Sequence, residues 1–197
     1  MRLVLAGLSG CGLLTASLVM AQAPSQPPAF SLPEVGRLPE KRMMHGCAIV
    51  GKRMYVMGGH LETQNNANLW ANDAKSAEIQ PNGRIDGPWR REPDLPTYMA
   101  YLMQAVQVVN NRIYIIGANT YSSPTADEDT TKHSQEAIWT TVGSDGVLSP
   151  WKRSVPFPGE PLSFNATCSS EKHLFIMGGT GQNQVLDHLL IADISED

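Results

Sequence analysis

Charge is scarce in this 197-residue sequence: Asp, Glu, Lys and Arg make up 17% of it and leave a net charge of −4. Without an excess of Lys and Arg there is no basic field to hold a phosphate backbone, which excludes nucleic acid as the main partner. The same low charge, set against 42% hydrophobic residues, excludes a disordered chain. Long hydrophobic runs are equally rare. Residues 3–20 form the one such run, and nothing after it shows a helical period. Cysteine is limited to Cys11, Cys47 and Cys168, too few for a disulfide scaffold. Also missing are a Gly-rich phosphate cradle, a nucleophile-elbow serine and paired-cysteine zinc spacing, so no cofactor and no metal is expected.

What is present begins with an address. Arg2, the apolar run and Ala21-Gln22-Ala23 have the form of a secretory signal peptide over residues 1–23, cut after Ala23 or Ala21. A retained membrane anchor is the alternative, disfavoured by three glycines and several Ser and Thr within the run. Leu8-Ser9-Gly10-Cys11 resembles a bacterial lipoprotein box, although the apolar stretch before it is short. Export to the periplasm or medium is expected, with no stable membrane insertion after cleavage. Residues 24–36, where Pro, Ser and Gln collect, read as an extended linker.

Self-similarity then organises the rest. Residues 48–59, 107–118 and 168–179 align without gaps, and Gly58, Gly117 and Gly178 recur 59 and 61 residues apart. Each segment is an apolar strand, a tight polar turn such as Gly51-Lys52 or Asn110-Asn111, and a second strand rich in β-branched and aromatic residues. That pattern is a β-hairpin. A second half repeats as well: Asn82-Gly83 and Asp145-Gly146 open turns that lead to Trp89 and Trp151, and Pro96 and Pro158 follow seven residues later. Asn-Gly and Asp-Gly accept positive φ and are the strongest short turn signals. Each unit therefore contains four short strands, with a large indole placed to pack between neighbouring sheets. Cys47 and Cys168 sit at nearly equivalent points of different units. They are expected a whole unit apart, as small buried hydrophobes with no bridge.

Four-stranded units in series bury their faces against one another in a β-propeller. The order of apolar strand, turn, Tyr-Val-x-Gly-Gly, long connection, Asn/Asp-Gly-x-Leu-x-x-Trp and Leu-Pro resembles the Kelch repeat, in particular its exported prokaryotic variant. The resemblance covers residues 37–197, divided into blades at about 40–96, 97–158 and 159–197. It implies an all-β, Kelch-type propeller with three blades present, either a partial ring or half of a six-bladed assembly. Two departures stand out: Gly117-Ala118 replaces the double glycine, and the Arg-x-x-His that often opens a unit occurs only as Arg42 and His45.

Residues 192–197 align with residues 77–82, so the last unit has a third strand and no fourth. Truncation of a longer ring is one reading. In the other, residues 32–39 supply the absent strand, with Leu32 seven residues before Pro39 as Trp89 is before Pro96. A homodimer completing the ring is a corollary.

Strand parity puts the long connections 60–72, 119–134 and 180–187 on one face together with the links between units. A ligand site is expected there, built from Arg42, His45, His60, Glu62, Tyr98, Tyr101, Asn119 and Asn165. Aromatic faces and planar amides suit a sugar. The competing reading has Arg42 and His45 satisfying backbone between units and the tyrosines simply packing. His60 with Glu62 lacks a third ligand at metal spacing, and Asp127-Glu128-Asp129 reads as a solvated acidic loop. The expected function is an exported binding or scaffold module for a glycan or protein. The alternative, implied by the Kelch resemblance, is a carbohydrate-active enzyme such as a sialic-acid-type mutarotase or epimerase.

Overall fold

The computed structural model describes residues 32–62 and 68–194. The expected signal peptide, Cys11 and the linker as far as residue 31 lie outside the described residues.

All three expected hairpins form. Gly46–Val50 pairs with Arg53–Met57 across Gly51-Lys52, Val106–Val109 with Arg112–Ile116 across Asn110-Asn111, and Ala166–Ser169 with His173–Met177. A third strand lies along the far side of each second strand: Ala74–Glu78, Ala137–Thr141 and Leu189–Asp193. Arg90–Glu92 and Lys152–Arg153 add a fourth strand to the first two sheets, while the third sheet has three strands among the described residues. Helix among the described residues is limited to one 3-10 turn, Glu128–Thr130.

The sheets are held face to face by apolar contact. Tyr55, Met57 and Ala74 of the first pack on Ile113, Ile115, Ile138 and Leu148 of the second. Tyr114 and Ile116 of the second pack in turn on Leu174 and Ile176 of the third, with Leu162 from the link between them. Trp151 reaches back as its position promised, its Nε1 donating to the Pro93 carbonyl at 3.0 Å. Between the first two sheets the buried Glu92 carboxylate accepts from Ser76 Oγ (2.5 Å), Arg90 Nε (2.8 Å) and the Leu148 N–H (2.9 Å). A charge so placed is tolerable because its oxygens are met by donors from both sheets.

Three expectations need correction. The long connections are not plain loops. Arg42–Met43, His60–Glu62 and Asn68–Trp70 make a small antiparallel sheet, and Tyr98–Ala100, Asn119–Tyr121 and Lys132–His133 make its counterpart in the second unit. In the third unit the same pattern is reduced to single bridges from Thr180 to Ser163 and Val185. Secondly, Cys47 and Cys168 are unbridged but exposed, because among the described residues no sheet covers the outward face of the first or third unit. Thirdly, the stretch leading to Pro39 does not add to the third sheet. Gly36 bridges Ile85, whose N–H donates to the Val35 carbonyl at 2.8 Å, so the segment runs beside the first unit.

Gly58 closes the first hairpin at φ +57°, where an added Cβ would stand 2.7 Å from the Met99 carbonyl oxygen of the next unit. Gly51 has a similar φ of +59° with open space around it. Gly58→Ala is therefore expected to cost more than Gly51→Ala, which carries only the left-handed penalty of about 1–2 kcal/mol. Urea unfolding of the two variants measures the difference, and equal losses would contradict this packing of the units.

Candidate functional site

The links between units and the small sheets share one face, and there the expected site residues divide into three groups. Arg42 is structural. Its guanidinium is fully buried and donates to the Gly58 carbonyl (2.9 Å), to both Asp73 oxygens (3.0 and 2.8 Å) and to Glu40 (3.1 Å), which also receives Lys75. Burial opposes ionisation of Asp73, but the bonds and charge of Arg42, helped by Lys75, hold its carboxyl below the usual range. His45 is near this group. Burial, reinforced by the Arg42 charge, lowers its pKa from 6.5, and its Nδ1 has no partner.

The second group is aromatic. His60 stacks on Trp70 with ring centroids 4.6 Å apart, and Trp70 stacks on Tyr121 at 3.8 Å and 8°. Ala100 shares this cluster, and Tyr98, Tyr101 and Met44 pack against it. Tyr101 also meets Phe164 at 4.6 Å and donates its hydroxyl to Glu128 Oε1 at 2.6 Å. That bond to a carboxylate, with burial second, pushes the Tyr101 pKa up to about 12. The acidic run is thus tied to the cluster through Glu128, rather than wholly solvated. Met44, Tyr101 and Phe164 have φ of 57°, 61° and 55°, so each link turns through a left-handed residue with a large side chain.

Buried amides form the third group. Asn119 and Asn165 are nearly inaccessible, and in each the side-chain oxygen lacks a partner, although Asn165 Nδ2 donates to the Ile116 carbonyl at 3.0 Å. Buried side-chain nitrogens and oxygens that make no close hydrogen bond among the described residues lie on this face, in Arg42, His45, Asn119, Thr131, His133, Ser163 and Asn165, while the Tyr121 hydroxyl is directed at Thr131 and Asn119.

Two clefts open here. One, of about 240 Å³, is lined by Lys41, Arg42, Met43, His60 and Glu62; it unites three of the expected residues, with Glu62 Oε2 3.1 Å from Lys41 Nζ. The other, of about 440 Å³, is lined by Thr131, Lys132, His133, Pro161 and Gln182, where the second and third units meet. A wider cleft of about 550 Å³ lies on the opposite face among the turn residues 50–53 and 142–146. Trp70, Tyr121, Thr131, His133 and Phe164 were not expected at the site. The alternation of Asn119-Thr120-Tyr121 and Asn68-Leu69-Trp70 was the available signal for the first two, hidden by the short length of those strands.

Comparison with known proteins agrees with this architecture. No family profile matches the chain. It is 24% identical over 142 residues to the human "Kelch repeat and BTB domain-containing protein 12", covering 72% of this chain and 21% of that protein. Among solved structures it is similar to YjhT, with a TM-score of 0.57 and 13% identity, covering 78% of this chain and 52% of that one. The chain thus spans about a fifth of the curated relative and half of the solved one. The fold is a Kelch-type β-propeller, with three blades among the described residues. Both similarities agree with a Kelch-type fold.

Acid is expected to destabilise the protein in two stages. His45 binds its proton less readily folded than unfolded, so stability falls as pH drops below about 6.5 and levels off under the lowered folded pKa. Asp73 is depressed when folded, so its contribution is present above 3.8 and lost as pH falls through the folded value. Urea titrations across pH should show both, and His45→Gln should remove only the first. A first stage that survives in His45→Gln would assign it elsewhere.

Proposed function

We propose that this chain is an exported binding module that takes a glycan on the face formed by its long connections. The observation that carries the reading is the gathering on that face of buried polar atoms short of hydrogen-bond partners, His133 Nδ1, Ser163 Oγ and Asn165 Oδ1 among them, beside a stack of aromatic rings. Burying a polar atom without a partner costs roughly 1–3 kcal/mol, so such atoms normally meet water or a ligand. Thr131 and His133 line the 440 Å³ cleft, a volume within the usual range for small-molecule sites. Hydroxyl-rich rings offer donors and acceptors to these atoms and an apolar face to the aromatics. A protein ligand is less favoured, because the polar atoms are recessed rather than displayed. Export rests on the N-terminal pattern of Arg2, apolar run and Ala21-Gln22-Ala23.

The test is titration with a panel of neutral and sialylated oligosaccharides, followed by calorimetry and Trp70 fluorescence. Phe164, half exposed beside Tyr101, is the ring free to stack on a sugar. Phe164→Ala should weaken binding by about threefold to tenfold, the worth of one aromatic contact. Unchanged affinity, or no binding anywhere in the panel, would remove this reading.

The 240 Å³ cleft favours sugar mutarotation as a second reading, since His60 and Glu62 line it together as a pair able to exchange protons at an anomeric centre. Arg42 takes no part in that chemistry, being spent on Asp73, Glu40 and Gly58. NMR of freshly dissolved single anomers, including sialic acid, should then show accelerated equilibration that falls at least tenfold in Glu62→Gln. Equilibration at the uncatalysed rate would eliminate it.

A further inference from the structure

We propose that the ligand of the 440 Å³ cleft is an amino sugar with a free, protonated amine, which rests on the glycan reading above and narrows it to a cationic class. Open hydrogen-bonding capacity at this cleft is mostly that of acceptors. Asn119 and His133 are direct partners across two strands of the second small sheet, and Tyr121 lies two residues on from Asn119, so the three share one face of that sheet. Thr131 and His133 also line the cleft. Burial raises the Tyr121 pKa, while Thr131 and Asn119 pull it down, as donors to the phenol oxygen do. Asn119 thus turns its Nδ2 towards Tyr121 and keeps Oδ1, an acceptor, unmatched. Asn165 shows the same polarity: Nδ2 donates to the Ile116 carbonyl at 3.0 Å, and Oδ1 makes no close bond. His133 Nδ1 is open as well, and accepts when the ring proton is on Nε2.

Charge around this row has the matching sign. Glu160 adjoins Pro161 in the cleft wall and accepts from the Gln182 N–H and from Gln184 Nε2, both at 2.9 Å. Glu128 accepts from the Tyr101 hydroxyl at 2.6 Å. All of these donors are neutral, so the bonds hold the two carboxylates in place without cancelling their charge. The bond from Gln184, then that from Gln182, keeps the Glu160 carboxyl below its usual range, helped by the nearby His188 and His133. Asp127 and Asp129 flank Glu128 in an exposed turn. Against these acids stands Lys132, an exposed residue of the cleft lining.

A protonated primary amine brings three donors and no acceptor. It meets the unmatched oxygens and is drawn in by the surrounding carboxylates. A carboxylate brings acceptors alone, and would be repelled by Asn119 Oδ1 and by Glu160. An acetamido group has a single N–H and a carbonyl of its own, so it satisfies one acceptor and adds another. Hydroxyls and the apolar ring face serve all sugars alike, which leaves the amine to set the preference.

Three β-linked trisaccharides separate these cases when titrated by calorimetry into the full chain at low salt: the trimers of glucosamine, of N-acetylglucosamine and of glucose, with sialyllactose as the anionic control. The glucosamine trimer should bind at least about tenfold more tightly than the glucose trimer, the worth of a hydrogen bond to a charged group. Asn119→Leu should remove that advantage. Lys132→Ala should tighten the amine by about twofold to fivefold, and Glu160→Gln, which keeps an acceptor for Gln182, should loosen it by as much. Equal affinity for the glucosamine and glucose trimers, a preference for the acetylated trimer or sialyllactose, or weaker amine binding in Lys132→Ala would overturn this assignment and leave the glycan reading in place. Binding of none of the four would remove both.

Discussion

A sheet with two apolar faces cannot stand in water uncovered, and that requirement governs this molecule. The first and second sheets meet through Tyr55, Met57, Ile113, Ile115 and Ile138, and the second and third through Tyr114, Ile116, Leu174 and Ile176. Burial of this kind is non-directional and would permit sliding. Direction comes from a few polar groups set into the seam. Glu92 gathers donors from both sides, and the Tyr55 hydroxyl donates to the Gly146 carbonyl at 2.9 Å. Apolar area supplies the attraction between sheets, and these bonds fix their register.

Much of this was legible in the residues because it rests on local rules. The hairpins show as period-two apolar runs ending in glycine, and Gly51, Asn110, Gly83 and Gly146 all take the positive φ that their turns require. Trp151 lies between sheets because an indole with one polar edge needs both a cavity and a carbonyl. The small sheets on the long-connection face were not legible. Their strands are two or three residues long and pair only because the links between units pass beside them, which is information about distant chain segments. The exposure of Cys47 and Cys168 was hidden for a related reason. An inner-strand position reads as buried on the assumption that a neighbouring sheet covers it.

At the candidate site the sequence identified residue types better than roles. Arg42, a candidate ligand residue whose competing reading has it satisfying backbone between units, bonds the Gly58 carbonyl at the centre of a closed ion-pair network, leaving no donor to spare for an anionic ligand in its Nη atoms. His60 is expected on a long connection as one of the ligand-site residues; held against Trp70, it becomes the end of an aromatic column. Asn119 and Asn165 are buried amides whose oxygens make no close hydrogen bond. The functional reading therefore depends on unmet hydrogen-bonding capacity more than on a catalytic constellation.

The left-handed links at Met44, Tyr101 and Phe164 have a further consequence. Glycine would relieve the backbone there, yet each position holds a bulky side chain, so local comfort is sacrificed to keep a large group at the rim. Because these residues lie between sheets and outside every strand of the three stacks, their identities can change while the stacks stay intact. Such positions are where a scaffold of this kind would acquire new selectivity: three adjustable teeth mounted on an unaltered frame.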